Sequence, residues 1–238
     1  MTTDIARPVA KLDHAHLTSK GRAMFVGHYA ASLAAKAIEP RAPLWTYVIG
    51  AQLIDIGWGG LVMAGVEKVR IDESLPGSSL DLFHMPYTHS LPAVIAWSLA
   101  AAVLVRMGLK LPWRAAVFVG LAVFSHWVLD LVVHRPDLEL WFGGEKVGFG
   151  LWNYPVPEQA VEIGLIALGA AAWAWLRGRN GQALWPVLLF VAVLVAVQII
   201  AMVMPGGGDT AGLGATAVAI YLVIGLIAWA VDRNKPAA

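Results

Sequence analysis

The 238 residues include no cysteine. Disulfides, thiolate metal sites and cysteine nucleophiles are therefore excluded, and any metal must be held by nitrogen and oxygen. Charge is also scarce: 14% of the residues are Asp, Glu, Lys or Arg, against roughly 25% in an ordinary soluble domain. The net charge is +1 and there is no basic tract, so nucleic acid is not expected as a partner. Neither a glycine-rich phosphate loop nor a dinucleotide fingerprint is found. Gly57-Trp58-Gly59-Gly60 falls inside an apolar run and reads as a close helix contact. The first twenty residues lack the basic-then-apolar order of a signal peptide, which predicts that the first apolar segment stays in the protein.

Hydrophobic residues make up 58% of the chain, and their grouping is that of an integral membrane protein. Apolar runs at 22–38, 44–66, 88–107, 112–133, 158–176, 184–204 and 212–231 predict a polytopic all-α bundle of about seven transmembrane helices. The first run sits at the lower limit of about 17 residues for a crossing. It carries the small-xxx-small pairs Ala30/Ala34 and Ala31/Ala35, which let membrane helices approach closely. One integral-membrane domain is expected over 1–238. It has a polar N-terminal segment (1–21), a five-helix core holding the polar groups (22–176) and a C-terminal helix pair (184–231). That pair is nearly free of ionisable groups and reads as a packing or dimer-forming element. The oligomeric state is left open.

Basic residues set the expected orientation. With seven crossings, Arg106, Lys110 and Arg114, then Arg177 and Arg179, then Arg233 and Lys235 all fall on one side. That side, with the C-terminus, is expected to be cytoplasmic in a bacterial-type inner membrane. The turn at 205–211 has no Lys or Arg. Trp45, Trp113, Trp173, Trp175, Trp185 and Trp229 lie near the same ends, as an interfacial aromatic belt would. Lys11, Lys20 and Arg22 run against this orientation.

The chemistry centres on the stretch from Ser125 to His134. His126, Asp130 and His134 stand at i, i+4 and i+8, on one helix face. Ionisable groups inside an apolar run are costly and point to function. Along the predicted topology, His28, Asp55, His84, His89, Glu158 and Glu162 fall in the same outer half. A histidine pair satisfied by a carboxylate is the plainest reading, but groups arriving from five segments exceed what that needs. Imidazole and carboxylate without thiolate suit zinc, with manganese or iron open. The surplus of donors points to two or three ions, or to one ion with supporting groups. Several ions together suit hydrolysis of a phosphoester by a metal-activated water, with Asp55 and Asp130 as the catalytic candidates. Ser90 and Ser125 also allow a Ser–His–Asp reading, which leaves most of the cluster unexplained. Between residues 134 and 157, Trp141, Phe142, Phe149, Trp152 and Tyr154 alternate with glycines. This reads as a membrane-interface loop or a lid, with Arg135 and Lys146 available to an anionic headgroup.

Gly27-His28, Leu53-Ile54-Asp55-Ile56, His84-Met85-Pro86-Tyr87-Thr88-His89-Ser90 and Ser125-His126-x-x-x-Asp130 occur in an order that resembles the YdjM-like membrane-bound metal-dependent hydrolases. The resemblance covers roughly residues 24–135. The same order of donors is remotely similar to the zinc-dependent phospholipase C and single-strand nuclease superfamily. That second resemblance implies one ion on Asp55, His89, His126 and Asp130, with Asp130 bridging to a second ion held with His28. It implies a third on His134 with Glu158 or Glu162. The chain departs from that pattern in having Glu158-x-x-x-Glu162 where a His-x-x-x-Glu or His-x-x-x-Asp pair stands. Together the resemblances imply a hydrolase acting on a phosphoester of a lipid or periplasmic substrate. The residues alone also admit a metal-ion or proton transporter, or a membrane protein whose metal only braces its helices.

Overall fold

Proline and polar turns divide the apolar runs into helices. In the computed structural model, which describes residues 26–203 and 209–232, eight α-helices account for most of the chain. They are α1 (Tyr29–Ile38), α2 (Leu44–Ala51), α3 (Leu53–Met63), α4 (Leu91–Gly108), α5 (Trp113–Val133), α6 (Pro155–Arg179), α7 (Trp185–Val203) and α8 (Thr210–Asp232). A 3-10 turn, Val26–His28, leads into α1, and another, Leu151–Asn153, precedes α6. The polar segment 1–21, most of the turn at 205–211, and Arg233 and Lys235 lie outside the described residues.

All seven predicted runs recur as helix, but not all are crossings. Five helices, α4 to α8, are long and apolar enough to span a bilayer. α2 and α3 add a sixth crossing if their 50° bend at Gln52 is taken within one span. α1 has only ten residues. It is stopped at Glu39, which leaves helical geometry just before Pro40. The expected seven crossings thus become five or six among the described residues. The polar stretch 67–86 is not a plain loop either: β1 (Lys68–Ile71) and β2 (Leu80–His84) pair as an antiparallel hairpin with a bulge after Lys68. A smaller pair, β3 (Leu138–Glu139) and β4 (Lys146–Val147), forms in the loop after α5.

Local chemistry fixes the ends that matter. Ser90 caps α4, its hydroxyl accepting from the Ala93 amide, and Pro92 sits in the first turn, where its missing N–H costs nothing. α5 begins after Pro112 and ends where His134 turns extended, so its 21 residues reach about 31 Å at 1.5 Å per residue. α1 lies against α6, α4 against α5, and α2 and α3 against α8. The expected close helix contact is found at Gly59: a methyl there would meet the Gly214 carbonyl oxygen at 2.9 Å.

The two ends of the bundle are chemically distinct. At one end Lys36 donates to Asp232, Pro40 and Ala42, which ties the end of α8 to the α1–α2 turn. Arg41 and Arg114 pair there with Glu39. At the other end lie the hairpins and the 134–154 loop. Arg135 joins them, donating to the carbonyls of Pro76, Ser78 and Leu80 and to the Asn153 side chain. Polar side chains converge beneath that cover.

Candidate metal centre

His126 and Asp130 project from consecutive turns of α5, one turn inside the covered end, and His134 follows at the helix terminus. His28 reaches them from the start of α1, His89 from the turn before α4, and Asp55 from α3. All are buried except Asp55, whose side chain is 14% exposed. Six imidazole-to-carboxylate separations fall in a narrow range. His28, His126 and His134 stand 3.1, 3.2 and 3.3 Å from Asp130, and His89 stands 3.5 Å from it. His89 and His126 are each 3.4 Å from Asp55. Asp130 faces His28 and His134 with Oδ1 and His89 and His126 with Oδ2.

Two readings of these distances compete. Imidazolium–carboxylate hydrogen bonds close to about 2.7–2.9 Å, and all six separations are longer. Two ligands of one tetrahedral ion, each about 2.0–2.2 Å from it, stand about 3.3–3.6 Å apart. The observed spacing lies nearer the second. Asp130 Oδ2 is fully buried and has no hydrogen-bond partner among the described residues, although two imidazole nitrogens face it.

The far side of each ring supports the same choice. His126 Nδ1 lies 2.7 Å from the Ala51 carbonyl, which can only accept, so Nδ1 carries the proton. His134 Nδ1 lies 2.8 Å from the Asp137 carboxylate and donates to it in the same way. Thr88 gives its hydroxyl proton to Glu67 at 2.6 Å, so its oxygen accepts from His89 Nδ1 at 2.8 Å. An Nδ1–H belongs to both the neutral ring and the imidazolium; in the neutral ring Nε2 presents a lone pair toward a carboxylate oxygen. Lone pairs facing lone pairs call for a cation between them. A donor on the far ring nitrogen is the arrangement that orients histidine ligands in metal proteins. Two triads meet the spacing for one ion, His28/His126/Asp130 and Asp55/His89/His126.

The sequence explains how these groups are delivered. The break at Gln52 aims the Ala51 carbonyl at α5, and irregular backbone is tolerated at membrane depth when it is buried in protein. The Thr88-His89-Ser90 motif separates into three tasks: Thr88 orients, His89 points inward and Ser90 caps α4. The Trp127 indole donates to the His89 carbonyl and pins that turn to α5. The His134 ring lies against Trp152, with centroids 4.1 Å apart.

Six of the nine sequence candidates meet here: His28, Asp55, His89, His126, Asp130 and His134. His134 approaches Asp130 along with the other rings. Glu162 is buried beside them and accepts from the Gly27 amide at 2.6 Å, one residue before His28. Glu158 is buried one turn away and accepts from the Gln159 amide. His84 stands on β2 opposite Lys68 in the hairpin register. None of these three belongs to either triad. The supporting groups Glu67, Thr88 and Asp137 were not anticipated as parts of the site. Nor was Tyr221 of α8, whose hydroxyl donates to Asp55 Oδ2 at 2.7 Å. The C-terminal pair is therefore more than packing.

A family model described as YdjM inner membrane protein matches residues 20–205. No curated protein and no solved structure matches the chain.

Proposed function

The chain belongs to the YdjM inner membrane protein family, and on that premise we propose that it is a membrane-embedded hydrolase whose buried cluster binds divalent metal, zinc first among the candidates. The observation that carries this is the set of 3.1–3.5 Å imidazole–carboxylate separations around Asp130 and Asp55, with three ring Nδ1 atoms tied to acceptors behind them. His89, His126, Asp55 and Asp130 Oδ2 would hold one ion. His28, His134 and Asp130 Oδ1 would hold a second, with Asp130 as the bridge.

Bound divalent ions would supply acidified water and neutralise charge developing on a phosphoryl group. The residues do the rest. Asp130, the more buried carboxylate, supplies negative charge between the four rings. Asp55 is the more accessible one, and Tyr221 fixes its second oxygen. As water adds to phosphorus and the P–O bond to the ester oxygen breaks, the proton lost by the water would pass to Asp55 Oδ2 and from there to the leaving ester oxygen. The hairpin cover excludes bulk water, which strengthens every charge interaction inside. A phosphoester is the preferred substrate because two divalent ions held by neutral imidazoles and two carboxylates would leave the site with net positive charge.

Elemental analysis of the gently purified protein tests this reading. One to two equivalents of zinc, manganese or iron per chain are expected, with loss in His126→Ala and Asp130→Ala. Wild-type protein free of stoichiometric transition metal would overturn it. Metal retention without turnover of any phosphate, acyl or amide ester would instead assign the metal a bracing role.

A further inference from the structure

One turn below the cluster a crevice of about 460 Å³ opens between α1, α5 and α6. Its volume falls within the roughly 300–1,000 Å³ of small-molecule sites. Ala30, Ala31 and Ala34 of α1 form the floor. Leu121, Phe124, Ser125, Val128 and Leu129 of α5 form one wall, and Leu165, Leu168 and Gly169 of α6 the other. The lining is apolar apart from the Ser125 hydroxyl, which is already donated to the Ala122 carbonyl. The floor is low because α1 and α6 touch: a methyl on Gly169 would stand 2.8 Å from the Ala30 carbonyl oxygen.

Its position relates it to the centre. On α1 the crevice begins two residues after His28, at Ala30. On α6 it begins three residues after Glu162, at Leu165. On α5 Leu129 lies between His126 and Asp130. Each helix therefore passes from a site residue to a crevice residue within one turn, about 5 Å. The mouth is flanked by Leu121, Val128 and Leu168, which are exposed on helices of membrane-spanning length. Residues exposed there face hydrocarbon rather than water.

We propose that this crevice binds one acyl chain of a bilayer lipid, and so makes the substrate an acylated phosphoester that enters sideways from the membrane with its polar head at the metal cluster. The reaction part rests on the hydrolase reading; the binding of a chain does not. A water-soluble phosphoester would have no use for an apolar recess that opens on hydrocarbon. A lipid uses both parts at once, as amphiphile recognition requires.

The test is photolabelling of the full-length protein in nanodiscs of phosphatidylethanolamine and phosphatidylglycerol, doped with a phosphatidylglycerol carrying a diazirine on one acyl chain. Labels are expected on the crevice residues at least fivefold above Leu188 and Leu226, which are similarly exposed on α7 and α8. Ala34→Phe, two turns from His28, should fill the floor and remove most of that excess, and the smaller Ala34→Val should remove part of it. Even labelling of all lipid-facing leucines would overturn the proposal, as would unchanged labelling in a folded Ala34→Phe protein. Turnover separates the two readings. Loss of lipid phosphoester hydrolysis in Ala34→Phe, with a short soluble phosphodiester still cleaved, supports the lipid assignment. Equal loss of both rejects it. Selective labelling without any turnover leaves the chain site standing and removes the hydrolase.

Discussion

Thr88 offers no strong ligand to an ion, yet its hydroxyl decides which nitrogen of His89 faces the cluster. It passes its proton to Glu67 and accepts from Nδ1, which leaves Nε2 free. Removing such an orienting partner typically costs 10–100-fold in metal affinity. Thr88→Ala should therefore keep the fold and weaken metal binding by about that factor, read by competition with a chelator of known affinity. Thr88→Ser should restore it, and an unchanged affinity in Thr88→Ala would show that His89 is not a ligand. His28, Asp55, His126 and Asp130 could be picked from the sequence because each is an ionisable group where apolar residues are the rule, His89 by its Thr-His-Ser motif and His134 by its i+8 spacing from His126. Glu67, Asp137 and Tyr221 could not. Polar or amphipathic residues in loops and at helix ends are common, and only the tertiary fold brings Asp137 to the second nitrogen of His134, Tyr221 to the second oxygen of Asp55, and Glu67 to the Thr88 hydroxyl behind His89. His84 shows the converse: it stands four residues before the Thr-His-Ser motif, but the hairpin register sets it opposite Lys68.

Among elements, the broken α2–α3 pair carries the most consequence. Its apolar run was legible, but its bend was not, since Gln52 differs little from the other polar residues that membrane helices tolerate. α3 is held at its angle by α8, and the two glycines Gly59 and Gly214 set the spacing. A side chain at Gly59 would begin 2.8 Å from Val218 and 2.9 Å from the Gly214 carbonyl oxygen. Gly59→Val should cost about 1–3 kcal/mol or more by overpacking, and should loosen metal binding as well, because Asp55 and its partner Tyr221 lie on these same two helices. The neighbouring Gly60 has nothing within 4 Å of its missing methyl. Gly60→Ala should be neutral or stabilise by up to about 1 kcal/mol through helix propensity. Melting in detergent distinguishes the pair, and equal effects would refute the contact as the cause. At the far end of α1, the Arg41 guanidinium holds the Glu39 carboxyl below its usual range by direct hydrogen bonding. A depressed carboxylate stabilises the native state fully above its unfolded pKa, about 4.3, and that contribution fades as pH falls through the lower native value. Wild type should therefore lose melting temperature faster than Glu39→Gln as pH is lowered from 6 to 3, with chelator present in both to remove any metal contribution. Parallel curves would show that the pair adds no stability.

For the whole molecule, the decisive asymmetry is between the two ends of the bundle. Lys36, Arg41, Arg106, Lys110, Arg114, Arg177 and Arg179 gather at the end away from the centre. Among the described residues, the basic ones on the covered end are Lys68, Arg70, Arg135 and Lys146, interspersed with acidic residues such as Glu67, Asp72, Asp81, Asp137, Glu139 and Glu145. The bias in Lys and Arg orients membrane proteins with the richer end in the cytoplasm. The distribution was legible along the chain, because basic residues cluster at helix ends, and the fold adds that the site lies at the opposite end. His126 is 13 residues into α5, about 20 Å from its basic end, and Asp130 is about 26 Å from it. In a hydrocarbon layer about 30 Å thick, we infer from that bias that the cluster sits in the outer half, under the hairpins. The absence of native cysteine makes this directly testable. Ser74→Cys, in the exposed turn between β1 and β2, should react with a membrane-impermeant maleimide in intact spheroplasts. Gln182→Cys, in the turn between α6 and α7, should react only after the membrane is permeabilised. The reverse pattern would place the metal cluster on the cytoplasmic side and move the proposed substrate to the inner leaflet, while leaving the geometry around Asp130 untouched.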